Sequence, residues 1–119
     1  MSPQSRTVIL TAVDANRSAV DVVAAAAKIA SIPGAELHIV HVIEAPVASQ
    51  LTRQLEEARA VVAKATAELP PSTSLTVHLA AGEPAAQILQ VAANIHADMI
   101  VIGTREMTRL ERFLLGSVA

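Results

Sequence analysis

The sequence predicts one α/β domain, an open parallel sheet with helices on both faces. Three observations lead there. Apolar runs of strand length alternate with segments of helical period in the order β-α-β-α-β-α-β. Apolar residues make up 52% of the chain and charged ones 17%, while aromatic content is 1%, Phe113 alone, so the core must be built from Val, Ile, Leu and Ala. Such a core suits strands buried on both faces beneath alanine-rich helices. Finally, the strand Met99 to Ile102 runs straight into Gly103, which brings backbone amides to a strand's carboxyl end. At 119 residues the chain is long enough for one real core and too short for two, so 1–119 is read as a single domain.

The elements follow in order. Val8-Ile-Leu-Thr-Ala-Val13 is a continuous apolar run with β-branched residues, closed by Asp14-Ala-Asn16. Asn16 or Ser18 can cap the next helix, and Asp21 lies three residues after Ser18 in a weak capping box. Ala19, Val22, Val23, Ala26, Ile29 and Ala30 repeat at helical spacing until Pro33-Gly34. Glu36 to Val42 is the second strand. Leu51, Leu55, Ala58, Val62, Ala65 and Leu69 then form a one-sided helix that Pro70-Pro71 stops. Ser74 to Ala80 is the third strand, and Gly82-Glu-Pro84 turns into a helix whose first turn suits proline. Ile88, Leu89, Val91, Ala92 and Ile95 are its buried stripe. After the fourth strand, Met99 to Ile102, a basic loop is expected between Gly103 and Gly116-Ser117, which should open another helix.

Composition narrows the function. A net charge of −2 and a pI near 6.0 give no basis for nucleic-acid affinity, and aromatic stacking platforms are absent. Without cysteine there is no disulfide frame or thiolate metal site. Val8 to Val13 is too short for a signal or a membrane span, so a cytoplasmic protein without membrane contact is expected. The four glycines, 34, 82, 103 and 116, form no Walker A loop, no Gly-x-Gly-x-x-Gly and no serine elbow. His38 and His41 face opposite sides of their strand, which prevents joint metal ligation. His41 reads as a hydrogen-bonded core histidine. Asp14 lacks the neighbouring carboxylate of a phospho-accepting site.

Four segments together resemble the universal stress protein family: Val8 to Asp14, Leu37 to Val42, Gly82-Glu-Pro84, and Asp98 to Gly103 through Gly116-Ser-Val-Ala119. The resemblance covers essentially the whole chain. It implies an adenine-nucleotide-hydrolase-like, Rossmann-like sheet in the order 3-2-1-4, normally extended by a C-terminal helix and a fifth strand that commonly builds a homodimer. These two elements are expected to be lacking here. It implies ATP or another adenine nucleotide, with or without Mg2+, between strands one and four. Ala12, Val13 and Asp14 would line the adenosine side and Val42 the base. Gly103, Arg105, Gly116, Ser117 and Val118 would hold the phosphates.

Each role has a plainer alternative. Asp14 can cap helix one through an Asx turn, Val42 can be core, and Gly116-Ser117 an ordinary helix start. Arg105, Arg109 and Arg112 can form a solvated face paired with Glu106 and Glu111. Glu106 departs from the family's Gly-x-x-Gly, adding a Cβ and a negative charge whose repulsion of a triphosphate would cost on the order of several kcal/mol in a partly dehydrated cleft. Three functions therefore stand: a stress-response regulator that binds an adenine nucleotide without efficient catalysis, an interaction module without nucleotide, and a slow ATPase using Asp14 or Glu106.

Overall fold

The computed structural model describes residues 6–116. Strands β1 (Thr7–Ala12), β2 (Ala35–Ile43), β3 (Leu75–Ala81) and β4 (Met99–Val101) form one sheet in the order β3-β2-β1-β4, and every pairing is parallel. Helices α1 (Ala19–Ile29), α2 (Leu51–Thr66), α3 (Pro84–Asn94) and α4 (Thr104–Gly116) alternate with them, and a short 3-10 turn, Ala48–Gln50, precedes α2. The expected order of elements and of strands is what the chain adopts.

Strand alternation divides the core. Ile9, Val13, Leu37 and Ile39 point to the side where α1 and α2 supply Val23, Ala26, Val62 and Ala65. Leu10, Ala12 and Val40 point to the other side, under Ile88 of α3. Valine, isoleucine and alanine fill both halves, as a core without aromatics must. Loss of buried volume at such a site typically costs about 2–5 kcal/mol for Ile→Ala, so Ile9, Ile39 and Ile88, each nearly or fully buried, anchor the domain.

Helix ends show where local sequence decides. Gly82 sits at φ +135°, a region open to glycine, and directs the chain into α3. Glu83 then caps α3, accepting from Ala85 N at 2.8 Å, with Pro84 in the first turn. The same helix ends with His96 at φ +55°, where Ala97 N donates to Ala92 O at 2.9 Å and His96 N to Ala93 O at 3.2 Å. Helix α1 departs from the expected capping box: the Ser18 side chain makes no cap bond. Its approach is built instead from two successive turns, with Asp14 Oδ1 accepting from Asn16 N at 2.8 Å and Asn16 Oδ1 from Ser18 N at 3.0 Å.

The largest correction concerns residues 104–116. The expected basic loop is the helix α4. Neither glycine nor proline interrupts Thr104 to Leu115, and Glu106 and Leu110, four apart, both turn inward. Met107 N donates to Gly103 O at 3.0 Å, so Gly103 starts this helix. Gly116 is accordingly the last described residue of a helix rather than the first of one. Ser117 and Val118 lie outside the described residues.

Candidate functional site

Register sets the site. Thr11 pairs with Ile39 on one side and with Val101 on the other, so β1 and β4 end nearly together while β2 runs on to Ile43. From β1 the chain turns toward α1, and from β4 toward α4. A crevice opens where strand order reverses, the position at which open α/β sheets bind ligands. A groove of about 560 Å3 lies beside it, over the carboxyl ends of β1 and β2, bordered by Asp14, His41, Val42, Gln54, Glu57 and Arg105. That is within the range of about 300–1,000 Å3 usual for small-molecule sites.

Asp14 stands at the centre of the crevice and makes the turn that its sequence suggested. Its Oδ1 accepts from Asn16 N, the Asx turn described above. Its Oδ2 faces Arg105 Nε at 3.6 Å, close enough for charge attraction though beyond a hydrogen bond. Ala12 and Val13 flank it with buried side chains, each belonging to a different half of the core. Their side chains are therefore committed to the core, and Val13 N donates to Val40 O at 2.9 Å. Val13 O accepts from His41 Nδ1 at 2.8 Å, so the histidine is hydrogen-bonded as the sequence suggested, but it is half-buried at the groove and not in the core. Val42 is half-buried, packing on the α3 side of the core while bordering the groove.

Gly103 stands at the amino end of α4, where unpaired N–H groups favour an anion. Its backbone is not in the left-handed region, and an added Cβ would meet Val22 at an ordinary 3.4 Å. Glycine is thus not required there by the fold. The arginines pair differently from the expected helix-face pattern. Arg105 turns to Asp14, and Arg109 Nη1 donates to Glu44 Oε2 at 3.1 Å. Glu44 follows β2, so α4 is tied to the far lip of the crevice.

Glu106 is buried, 7% exposed, and hydrogen-bonded to the Asp14 carboxyl. Burial first, then the bond to Asp14 and the Asp14 charge, push its carboxyl up to about 7 against the opposing pull of Arg109 and Arg105. Burial also acts to raise Asp14. The bond from Glu106, the Asn16 N–H and the two arginines outweigh it and hold Asp14 below the usual carboxylate value. A proton carried by Glu106 thus stabilises the neighbouring anion.

Sequence reasoning missed a second polar cluster. His38 Nδ1 and His78 Nε2 are 2.9 Å apart with stacked rings, and His38 Nε2 lies 3.1 Å from Glu36, which Arg6 also pairs. Burial depresses both histidines, helped by the Arg6 charge on His38 and by His38 on His78. The strand signal, His38 with Glu36 two residues before it, was present in the sequence. The partner on β3 was not. Among the described residues no group of three or more His, Asp or Glu is placed to hold a metal.

A four-stranded parallel sheet with this crevice defines a Rossmann-like α/β domain. The model of the universal stress protein family matches residues 6–119, and the chain belongs to that family. It is similar to a universal stress family protein from Burkholderia pseudomallei, with 27% identity, coverage of 94% of this chain and 93% of that one, and a TM-score of 0.74. A universal stress protein from Archaeoglobus fulgidus shares 26% identity over 85% of this chain and 78% of its own, with a TM-score of 0.71. A universal stress protein solved in complex with cAMP has the same fold at 23% identity, covering 97% of this chain and 86% of its own, with a TM-score of 0.61. No curated protein gives a significant match.

Proposed function

We propose that this chain binds an adenine nucleotide as a regulatory ligand, without efficient turnover, in the crevice between β1 and β4. The observation that carries the reading is Asp14: it borders the groove, with one carboxylate oxygen fixed by the turn and the other lying beside Arg105 and the start of α4. An aspartate so held can accept from ribose hydroxyls, while Val42 offers an apolar wall for a base. The first-turn amides of α4 and Arg105 suit a phosphate. The cAMP complex of a universal stress protein supports a nucleotide in this fold. Binding is preferred to catalysis because Asp14 and Glu106 are tied to one another, which leaves neither a ready base for water.

Calorimetric titration with Mg-ATP, AMP and adenosine tests the proposal, with the acid-soluble extract of the purified protein as a second measure. Saturable binding of any of the three is expected, and absence of binding by all three would overturn it. Release of ADP over time would favour slow hydrolysis. A second reading, an interaction module that needs no nucleotide, is favoured by the buried Glu106 in the motif glycine's place. It gains if neither the parent nor Glu106→Gly binds.

A further inference from the structure

Glu106 is the third residue of α4, at the helix end where an anion is most favoured. It occupies that place with its own carboxyl. Both Glu106 Oε2 and Asp14 Oδ2 are cut off from solvent, and no N–H or hydroxyl of the protein donates to either. Two carboxyls that meet through buried oxygens are satisfied only when a proton lies between them. A small cavity of about 30 Å3 adjoins the pair, and its walls identify the other groups that face it. From β2 come His41, with Nδ1 committed to Val13 O, and Glu44. From α3 come the uncharged Pro84 and Ile88. From α4 comes Arg109, paired to Glu44, while Arg105 stands over Asp14. With one proton on the carboxyl pair, the two arginines balance Asp14 and Glu44. Without it, the cluster carries one excess negative charge.

We propose that Glu106 makes ligand binding in this crevice proton-linked and charge-selective. Sharing one proton with Asp14, it admits adenosine and adenine ligands with a single phosphate charge, such as a cyclic monophosphate, in preference to a triphosphate. Loss of the shared proton weakens the hold on any anion. The inference rests on the nucleotide reading above and assigns its ligand class. The physical reason is that a triphosphate must bring several negative charges against a buried carboxyl at the phosphate end, whereas the ribose and base contacts are unaffected by that group.

Cyclic AMP is the decisive probe, because its single charge does not titrate near neutrality. Its affinity should fall roughly tenfold between about pH 5.5 and 8.5, while that of adenosine falls less than about threefold. ATP should bind the parent protein more weakly than cyclic AMP. In Glu106→Gln, whose amide can donate to Asp14 as the protonated acid does, the cyclic AMP profile should be flat. An unchanged slope in that variant would overturn the inference, as would tighter binding of ATP than of cyclic AMP by the parent.

Carboxyl carbon resonances of the ligand-free protein supply an arm independent of ligands. Glu106 should titrate near neutrality and move toward ordinary glutamate in Asp14→Asn. An ordinary Glu106 midpoint in the parent would overturn the shared proton. If adenosine binds without the charge and pH pattern, the inference falls and the nucleotide reading stands. If no adenine compound binds at any pH, both fall.

Discussion

Asp14 and Glu106, separated by most of the chain, meet at the crevice, and their effects can be measured apart. Removing the Asp14 carboxylate should weaken nucleotide binding by roughly 1–3 kcal/mol, the cost of one lost hydrogen-bonding partner. Titration calorimetry of Asp14→Ala checks this, and unchanged affinity would remove Asp14 from the site. Glu106→Gly takes away both a charge and a Cβ. ATP affinity should rise at least about tenfold, or 1.4 kcal/mol, and AMP affinity by less. A fall in ATP affinity would make Glu106 a working ligand.

Glu106 should also leave a mark on stability. Its carboxyl titrates at about 7 in the fold against an ordinary 4.5, so the folded protein holds more protons between those values. Its contribution therefore declines as pH rises from 4.5 through about 7 and is constant above that. The loss should be roughly 1–3 kcal/mol. Asp14 acts elsewhere: its stabilising contribution is present above 3.8 and is lost only as pH falls through its lower folded value. His38 and His78, both depressed from 6.5, lose stability on acidification and so oppose Glu106 in the same window. The useful measurement is therefore a difference. Urea unfolding of the parent minus that of Glu106→Gln should decline from acid to neutral pH, and a flat difference would contradict the buried proton.

At the scale of elements, two glycines serve different ends. Gly82 holds a φ of +135°, and a Cβ there would also press on Gln87 Nε2 at 3.3 Å. Gly82→Ala should cost roughly 1–3 kcal/mol by strain at the start of α3. Gly103 has neither constraint, so Gly103→Ala should change stability by less than about 0.5 kcal/mol while weakening a bound phosphate. Denaturant midpoints for both variants check the contrast, and equal losses would mean that Gly103 is structural. Helix periodicity and stop signals were legible in the sequence for α1, α2 and α3 because they depend on neighbours within a turn. For α4 the two bracketing glycines suggested a loop. The inward pair Glu106 and Leu110 outweighed that signal, since only the folded sheet supplies the surface they bury against.

The sheet as a whole has two edge strands among the described residues, β3 and β4. β4 is the last strand in the order, paired to β1 alone among the described residues, and Met99 on it is 45% exposed. An unpaired strand edge beside apolar side chains invites another chain. Self-association through β4 or α4 is therefore expected, and Phe113 and Leu115 of α4 are also exposed. Sedimentation should show a dimer at high micromolar concentration that Met99→Lys weakens, and a stable monomer at that concentration would count against it. No helix among the described residues is long and apolar enough to cross a membrane.

By itself the sequence determined the succession of strands and helices, the materials of the core, and the meeting of β1 and β4 at a glycine-bearing crevice. These follow from periodicity, turn residues and family spacing, which are local in the chain. Tertiary structure decided the partners. Asp14 with Glu106, Arg109 with Glu44 and His38 with His78 are brought together by strand register and helix packing. Burial then shifted the protonation of Glu106, His38 and His78, because a carboxyl or an imidazole titrates according to its surroundings and not its neighbours in sequence. Hence Glu106, read from the sequence as a fixed negative charge, becomes in the fold a proton carrier beside Asp14.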